Sequence, residues 1–237
     1  MVSVINKETF FECDSWAHAQ KNSCGYDNNG LLTFYENFNS NSPCPPRPHL
    51  LEPRLIELFC AIQRAVRNVG TVSIADVGGA NGYLGTHALD FFDLNLKWTV
   101  YEKKVFVDLY KKMHNSKIEF ATIDQFKTNL NFSISLFSCS LQYIFNCYEL
   151  LTTAFQNSSF VILSRIPILD HENDKVTIQK VTLDGKEFTW PAYFFGQCFM
   201  DFISTRAEVI YRWQTPSEQV LFQGKIISFQ GMLLKPK

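Results

Sequence analysis

The clearest chemistry in this chain lies in one run, Ile74-Ala75-Asp76-Val77-Gly78-Gly79-Ala80-Asn81-Gly82, where glycines follow a β-branched apolar stretch and precede a helical pattern. Small residues at a strand-to-helix turn let backbone N–H groups approach a ligand, and the helix N-terminus that follows favours negative charge. The dinucleotide fingerprint G-x-G-x-x-G is met only as Ala80-x-Gly82-x-x-Gly85, with its first glycine missing, whereas D-x-G-x-x-x-G is met by Asp76, Gly78 and Gly82. A carboxylate at the carboxyl end of the strand repels a pyrophosphate but accepts hydrogen bonds from an ammonium. S-adenosylmethionine carries an ammonium and a sulfonium and no phosphate, so it suits the loop better than a dinucleotide. Glu102, twenty residues beyond Gly82, closes the next strand and is placed to bond both hydroxyls of a ribose, a feature shared by NAD and S-adenosylmethionine sites. A tight turn that binds nothing is the alternative reading, and Asp76 and Glu102 together weigh against it.

Methyl transfer from a sulfonium is an in-line displacement that needs the acceptor about 3–3.5 Å from the methyl carbon, so positioning is the main task. The groups that position should lie at the carboxyl ends of neighbouring strands. Two such ends carry polar residues: Ser138-Cys139-Ser140-Leu141-Gln142-Tyr143, and Arg165-Ile166-Pro167. Gln142 and Tyr143 can hydrogen-bond or stack, and Arg165 can hold an acidic acceptor bidentately or form a salt bridge at the strand end. His171, in the acidic loop Asp170 to Asp174, is a candidate general base or a solvated loop histidine. Asp124 can accept from an adenine amino group or cap a helix. The segments Ser138 to Tyr143 and Arg165 to Pro167 contain no Asn/Asp-Pro-Pro-Tyr/Phe motif and no Pro-Cys nucleophile, so methylation of a nucleic-acid base loses support.

These groups need a scaffold, and the apolar pattern supplies one. Leu51, Leu55, Phe59, Ile62 and Val66 stripe a helix within His49 to Val69, closed by Gly70. Thr71 to Val77, Lys97 to Tyr101, Lys117 to Ala121, Phe132 to Ser138 and Phe160 to Ile166 read as strands, with helices predicted from Tyr83 to Phe92, Val105 to His114 and Asn146 to Gln156. Five β-α units in order predict a doubly wound parallel sheet covered on both faces. Lys175 to Thr182 and Lys186 to Trp190 then flank Asp184-Gly185, a hairpin signal. A helix is predicted from Tyr193 to Ser204, and Ala207 to Trp213 and Lys225 to Leu234 read as a closing antiparallel pair joined by a polar loop. The Pro- and Asn-rich stretch from Glu36 to Pro48 sets off residues 1–48 as an N-terminal extension from a domain of residues 49–237.

Composition bounds the rest. With 237 residues, 46% hydrophobic and 19% charged, the chain can bury one sizeable core, and a formal charge of −1 gives no global drive toward nucleic acid or an acidic membrane. Seven scattered cysteines without a C-x-x-C pair offer no zinc set and read as reduced thiols. No apolar run approaches the roughly 20 residues of a membrane span and no signal-like N-terminus is evident, so the expected location is cytoplasmic and the N-x-S sequons at Asn131 and Asn157 carry no information.

From about Thr71 to Lys235 the chain resembles a class I S-adenosylmethionine-dependent methyltransferase, whose Rossmann-like sheet of seven strands ends in an antiparallel pair. More closely, Trp16-x-x-Ala19 with Gly25-Tyr26-Asp27, Asp76-x-Gly78-Gly79, Trp98-Thr99-Val100-x-Glu102, Ser140-Leu141-Gln142-Tyr143 and Arg165-x-Pro167 resemble a family of putative methyltransferases associated with bacterial surface-polysaccharide (O-antigen and capsule) gene clusters. Ala80 departs from the glycine many methyltransferases carry there. The resemblance implies S-adenosylmethionine held by Asp76, Gly78, Gly79, Ala80, Asn81, Gly82, Glu102, Asp124, Ser138 and Gln142. It implies a small acceptor, a sugar hydroxyl or sugar-linked phosphoryl group, against Tyr26, Gln142, Arg165 and Tyr193, with Tyr143, Arg165 and His171 as catalytic candidates. The extension, with Trp16 and Tyr26, is expected to fold over the crevice, and the hairpin with Trp190 and Tyr193 to cap the acceptor side or to form a homodimer contact. Two rival readings remain: an NAD(P)-dependent oxidoreductase, and a catalytically silent cofactor-binding or assembly protein.

Overall fold

In the computed structural model, which describes residues 9–25, 28–34, 53–66, 70–113, 117–129 and 131–237, the chain enters through strand β1 (Phe10–Cys13), helix α1 (Trp16–Lys21) and helix α2 (Pro53–Ala65). Ser15 caps α1 by accepting from the His18 N–H, and proline suits the first position of α2 because its missing N–H would be unpaired there anyway. Regular alternation follows: β2 (Thr71–Val77), α3 (Tyr83–Phe91), β3 (Asn95–Glu102), α4 (Lys104–Met113), β4 (Ile118–Thr122), α5 (Ile123–Thr128), β5 (Phe132–Ser138), a 3₁₀ turn (Leu141–Tyr143), α6 (Cys147–Asn157) and β6 (Ser158–Pro167). The remaining elements are β7 (Lys175–Leu183), β8 (Lys186–Phe194), α7 (Gln197–Arg206), β9 (Ala207–Phe222) and β10 (Lys225–Pro236).

The main sheet has seven strands in the order β4-β3-β2-β5-β6-β10-β9. Every neighbouring pair from β4 to β6 is parallel, and β10 runs antiparallel to both β6 and β9. The alternation of side chains along the central strands explains the layers. Ile74, Trp98 and Val100 face α2, α3 and α4, while Ala75, Val77 and Phe137 face α5, α6 and α7. Both faces are covered, so β2, β5 and β6 are nearly continuous apolar runs. This is the Rossmann-like α/β architecture expected from the sequence, with its closing antiparallel pair. No helix among the described residues is long and apolar enough to cross a membrane.

A second, three-stranded antiparallel sheet in the order β1-β7-β8 stands beside the first. Its turn at Asp184-Gly185 has φ of 47° and 75°, the left-handed pair a two-residue hairpin needs. The described part of the N-terminal extension is woven into this sheet. Trp16 of α1 stacks on Tyr193 of β8 at 4.6 Å, and Leu31 packs on Phe188 and Trp190.

Two expectations are corrected. The helix predicted from Tyr193 starts at Gln197, because Tyr193 and Phe194 pair with Val176 and Lys175, and the Asp174 carboxylate accepts from the N–H groups of Gly196 and Phe199 at the helix entry. The polar loop predicted after Trp213 is strand: β9 continues to Phe222 and turns through Gln223-Gly224, with φ of 51° and 73°. Buried Thr215, Val220 and Phe222 hold that distal half, which packs with Phe10 and Phe194 of the second sheet.

Candidate functional site

The glycine loop emerges from the carboxyl end of β2, at the centre of the sheet. Gly78 (φ 74°) and Gly82 (φ 73°) occupy the left-handed region, and so does Ala80 (φ 49°), which bears a side chain there. A Cβ on Gly78 would lie 2.5 Å from the Ser140 Cβ, and one on Gly79 would collide with the Asp76 carboxylate. The loop is tied down by Gly78 N–H donating to the Tyr101 carbonyl (2.8 Å) and by the Ser140 hydroxyl donating to the Val77 carbonyl (2.6 Å). It leads directly into α3, whose first residue, Tyr83, donates its N–H to the Asn81 side chain.

Asp76 lies beneath this loop, not in its open wall. It is fully buried, one oxygen accepts from the Trp98 indole N–H at 3.1 Å, and the other has no hydrogen-bond partner. Burial pushes its carboxyl up to about 7, against the Trp98 bond and helped by the nearby Glu102 charge. Glu102 is half-buried at the end of β3, where its two oxygens accept from Ala80 N–H (3.3 Å) and Lys103 N–H (3.0 Å). Burial raises its carboxyl, and those two N–H bonds and the Lys103 charge hold it down.

Two lobes of open space meet over the loop, because Gly78 and Ala80 line both. The first is bounded by Glu102, Lys103, Phe106, Ile123, Cys139 and Tyr143. The second is bounded by Asn81, Tyr83, Ser138, Arg165 and Leu55 and Leu58 of α2. Together they offer an apolar wall with a few convergent polar groups, the make-up of a ligand site.

The ends of β5 and β6 stand at the junction. Cys139 (φ 55°) and Arg165 (φ 59°) are both held in the left-handed region, a strain expected where surrounding structure fixes functional backbone. Gln142 is buried. Its amide nitrogen donates to Cys139 Sγ and to the Arg165 carbonyl, each at 3.4 Å, and its oxygen has no partner. Burial pushes the Tyr143 phenol well above its ordinary value, the Cys139 charge adds to this, and Arg165 opposes it, so Tyr143 keeps its proton at neutral pH. Arg165 Nε donates to Glu218 at 2.5 Å.

The structure thus brings Gly78, Gly79, Ala80, Asn81, Glu102, Ser138, Tyr143 and Arg165 to one cleft, with Gln142 buried behind it and Gly82 at the helix entry. Asp124 is exposed in the first turn of α5, and the cap there is Thr122 in a capping box with Gln125, beside Ile123 of the first lobe. His171 (φ 61°) sits in an exposed turn outside the residues that bound the lobes. Tyr193 also lies outside them, its hydroxyl donating to the Phe145 carbonyl (3.3 Å) and its phenol pushed up to about 12 by burial. Tyr26 falls outside the described residues. Sequence reasoning missed Lys103, Phe106 and Ile123, whose apolar or basic types look like ordinary helix faces. It also missed Glu218, which lies 53 residues from its partner with no motif to mark it.

No protein-family model and no curated protein matches this sequence. Solved structures do match the fold. A S-adenosylmethionine-dependent methyltransferase from Clostridium acetobutylicum ATCC 824 aligns at TM-score 0.53 and 10% identity over 85% of this chain and 98% of that one. The 1,6-didemethyltoxoflavin-N1-methyltransferase of Burkholderia thailandensis, solved with its substrate and S-adenosylhomocysteine, aligns at 0.51 and 9% over 88% and 89%. The N-terminal domain of EvdMO1, crystallised in the presence of S-adenosylhomocysteine and D-fucose, aligns at 0.51 and 10% over 87% and 97%. The chain therefore has the fold of S-adenosylmethionine-dependent methyltransferases, over nearly the full length of these structures.

Proposed function

We propose that the chain is a methyltransferase that moves a methyl group from S-adenosylmethionine to a small acceptor, a sugar hydroxyl or sugar-linked phosphoryl group in capsule or O-antigen synthesis. The observation that supports the cofactor is the join of the two lobes over Gly78–Ala80, with Glu102 at one end; in this reading the nucleoside takes the first lobe and the reactive tail the second. The cradle fits this group, since Gly78 and Ala80 border both lobes and the loop lies so close over Ser140 and Asp76 that Gly78 and Gly79 have no room for a side chain. When bound, S-adenosylmethionine supplies a methyl group activated by the sulfonium. Glu102 accepts from the ribose hydroxyls, while Phe106 and Ile123 offer apolar surface to the base. Tyr143, a neutral phenol bordering the first lobe, orients the acceptor hydroxyl in this reading. With His171 in an exposed turn, positioning carries most of the catalysis in this reading, and a base is called on only for a poorly acidic hydroxyl.

The acceptor class rests on the resemblance in the Leu141-Gln142-Tyr143 and Arg165-x-Pro167 segments, and the D-fucose present with a domain of the same fold agrees with it. A cytoplasmic location and a homodimer belong to the same proposal. Calorimetric titration with S-adenosylmethionine, S-adenosylhomocysteine, NADH and NADPH tests the cofactor. Micromolar binding of the first two, weakened at least tenfold by Glu102→Ala, is expected. Binding of a nicotinamide cofactor alone would replace this reading with the oxidoreductase.

A further inference from the structure

Arg165, which borders the second lobe, forms an ion pair with Glu218 in which each partner is engaged on one side only. Arg165 Nε is bound to one oxygen of Glu218, and among the described residues neither the terminal nitrogens of Arg165 nor the second oxygen of Glu218 makes a hydrogen bond. Both side chains are mostly buried, 26% and 18% exposed, while their unpaired polar atoms stay open to solvent, where a ligand can reach them. The backbone is arranged to present the pair. Ile166 pairs with Gln230 and Leu163 with Met232, so Ser164 and Arg165 together oppose Gly231 in a β-bulge, with Arg165 left-handed. A side chain on Gly231 would collide with Trp213, so the opposing strand cannot fill the bulge.

A single anion at Arg165 would also face the Glu218 charge, which argues against a lone phosphoryl or carboxylate there. A zwitterion matches both charges at once. Asp76 cannot take an ammonium from the cleft, being fully buried beneath Gly79 and bound to the Trp98 indole. We propose that Arg165 and Glu218 form a clamp for the α-amino-acid end of the cofactor, Arg165 on the carboxylate and Glu218 on the ammonium. This rests on the cofactor reading above and assigns Arg165 to the cofactor tail instead of the acceptor.

The test compares S-adenosylhomocysteine with 5′-methylthioadenosine, the same nucleoside thioether without the amino acid, by calorimetry on the full chain. Wild type should bind the homocysteine form at least tenfold more tightly. Arg165→Ala and Glu218→Gln should each weaken that form about tenfold or more and leave methylthioadenosine unchanged, which also shows that the variants fold. Analogues lacking one group sharpen the assignment: Arg165→Ala should not weaken the decarboxylated analogue, and Glu218→Gln should not weaken the deaminated one. Equal losses for both ligands in the variants, or no loss for either, would overturn the clamp while the cofactor reading stands. Failure of wild type to bind either ligand would overturn both.

Discussion

Asp76 shows how a single buried group sets a pH dependence. The folded chain holds its proton up to about 7, while the unfolded chain releases it near 3.8. Below that lower value both states are protonated and the group takes nothing from stability. As pH rises through the window the unfolded state alone ionises, so stability falls until the folded carboxyl also titrates near 7. Asp76→Asn keeps an acceptor for Trp98 and does not titrate, so urea unfolding at pH 4 and pH 8 should show the variant gaining on wild type by on the order of 4 kcal/mol at the higher pH. Gly79→Ala drives a methyl group into that carboxylate, and is expected to cost about 1–3 kcal/mol in thermal unfolding and to weaken S-adenosylhomocysteine at least tenfold. At this scale the sequence was partly legible. The spacing from Gly82 to Glu102 placed the second carboxylate at the cleft, because strand length and loop length are both local properties. Whether Asp76 points into the cleft or beneath the loop depends on an indole from the adjacent strand, which no local pattern reports.

Among the elements, the parallel strands were legible because each is a short apolar, β-branched run bounded by turn residues. Thr71–Val77 and Phe132–Ser138 coincide with their predicted limits. The distal half of β9 was not, since its Gln, Ser and Glu residues resemble a loop, and its pairing with β10 is set by a turn ten residues beyond Trp213. That turn gives a sharp prediction. Nothing surrounds a Cβ on Gly224, so substitution is resisted only by its φ of 73°. Gly224→Ala should cost about 1 kcal/mol in chemical denaturation and Gly224→Asn much less, because asparagine tolerates the left-handed region. The same hairpin carries Glu218, so its strand register also sets where the far half of the proposed clamp stands.

For the whole molecule, the two sheets are joined by aromatic packing. Phe10 of β1 meets Phe194 edge-on at 4.9 Å, Phe194 stacks on Phe222 of β9, and Tyr143 meets Trp190 edge-on. Phe10→Ala should therefore cost about 3–5 kcal/mol, seen as a lowered unfolding midpoint, despite its place near the chain's start. Composition suggested an extension set off from a domain, but the pairing of Phe10–Cys13 with Lys175–Leu183 in one sheet was not legible, because the two strands lie far apart along the chain. That pairing has a consequence for synthesis. Phe10–Cys13 has no β-partner until Lys175–Leu183 leaves the ribosome, roughly 160 residues and on the order of ten seconds or more later. Throughout that interval a strand edge destined for pairing, with Phe10 destined for burial, stays open to other chains on the same message, so folding yield should depend on translation speed and on chaperones that cover the nascent N-terminus.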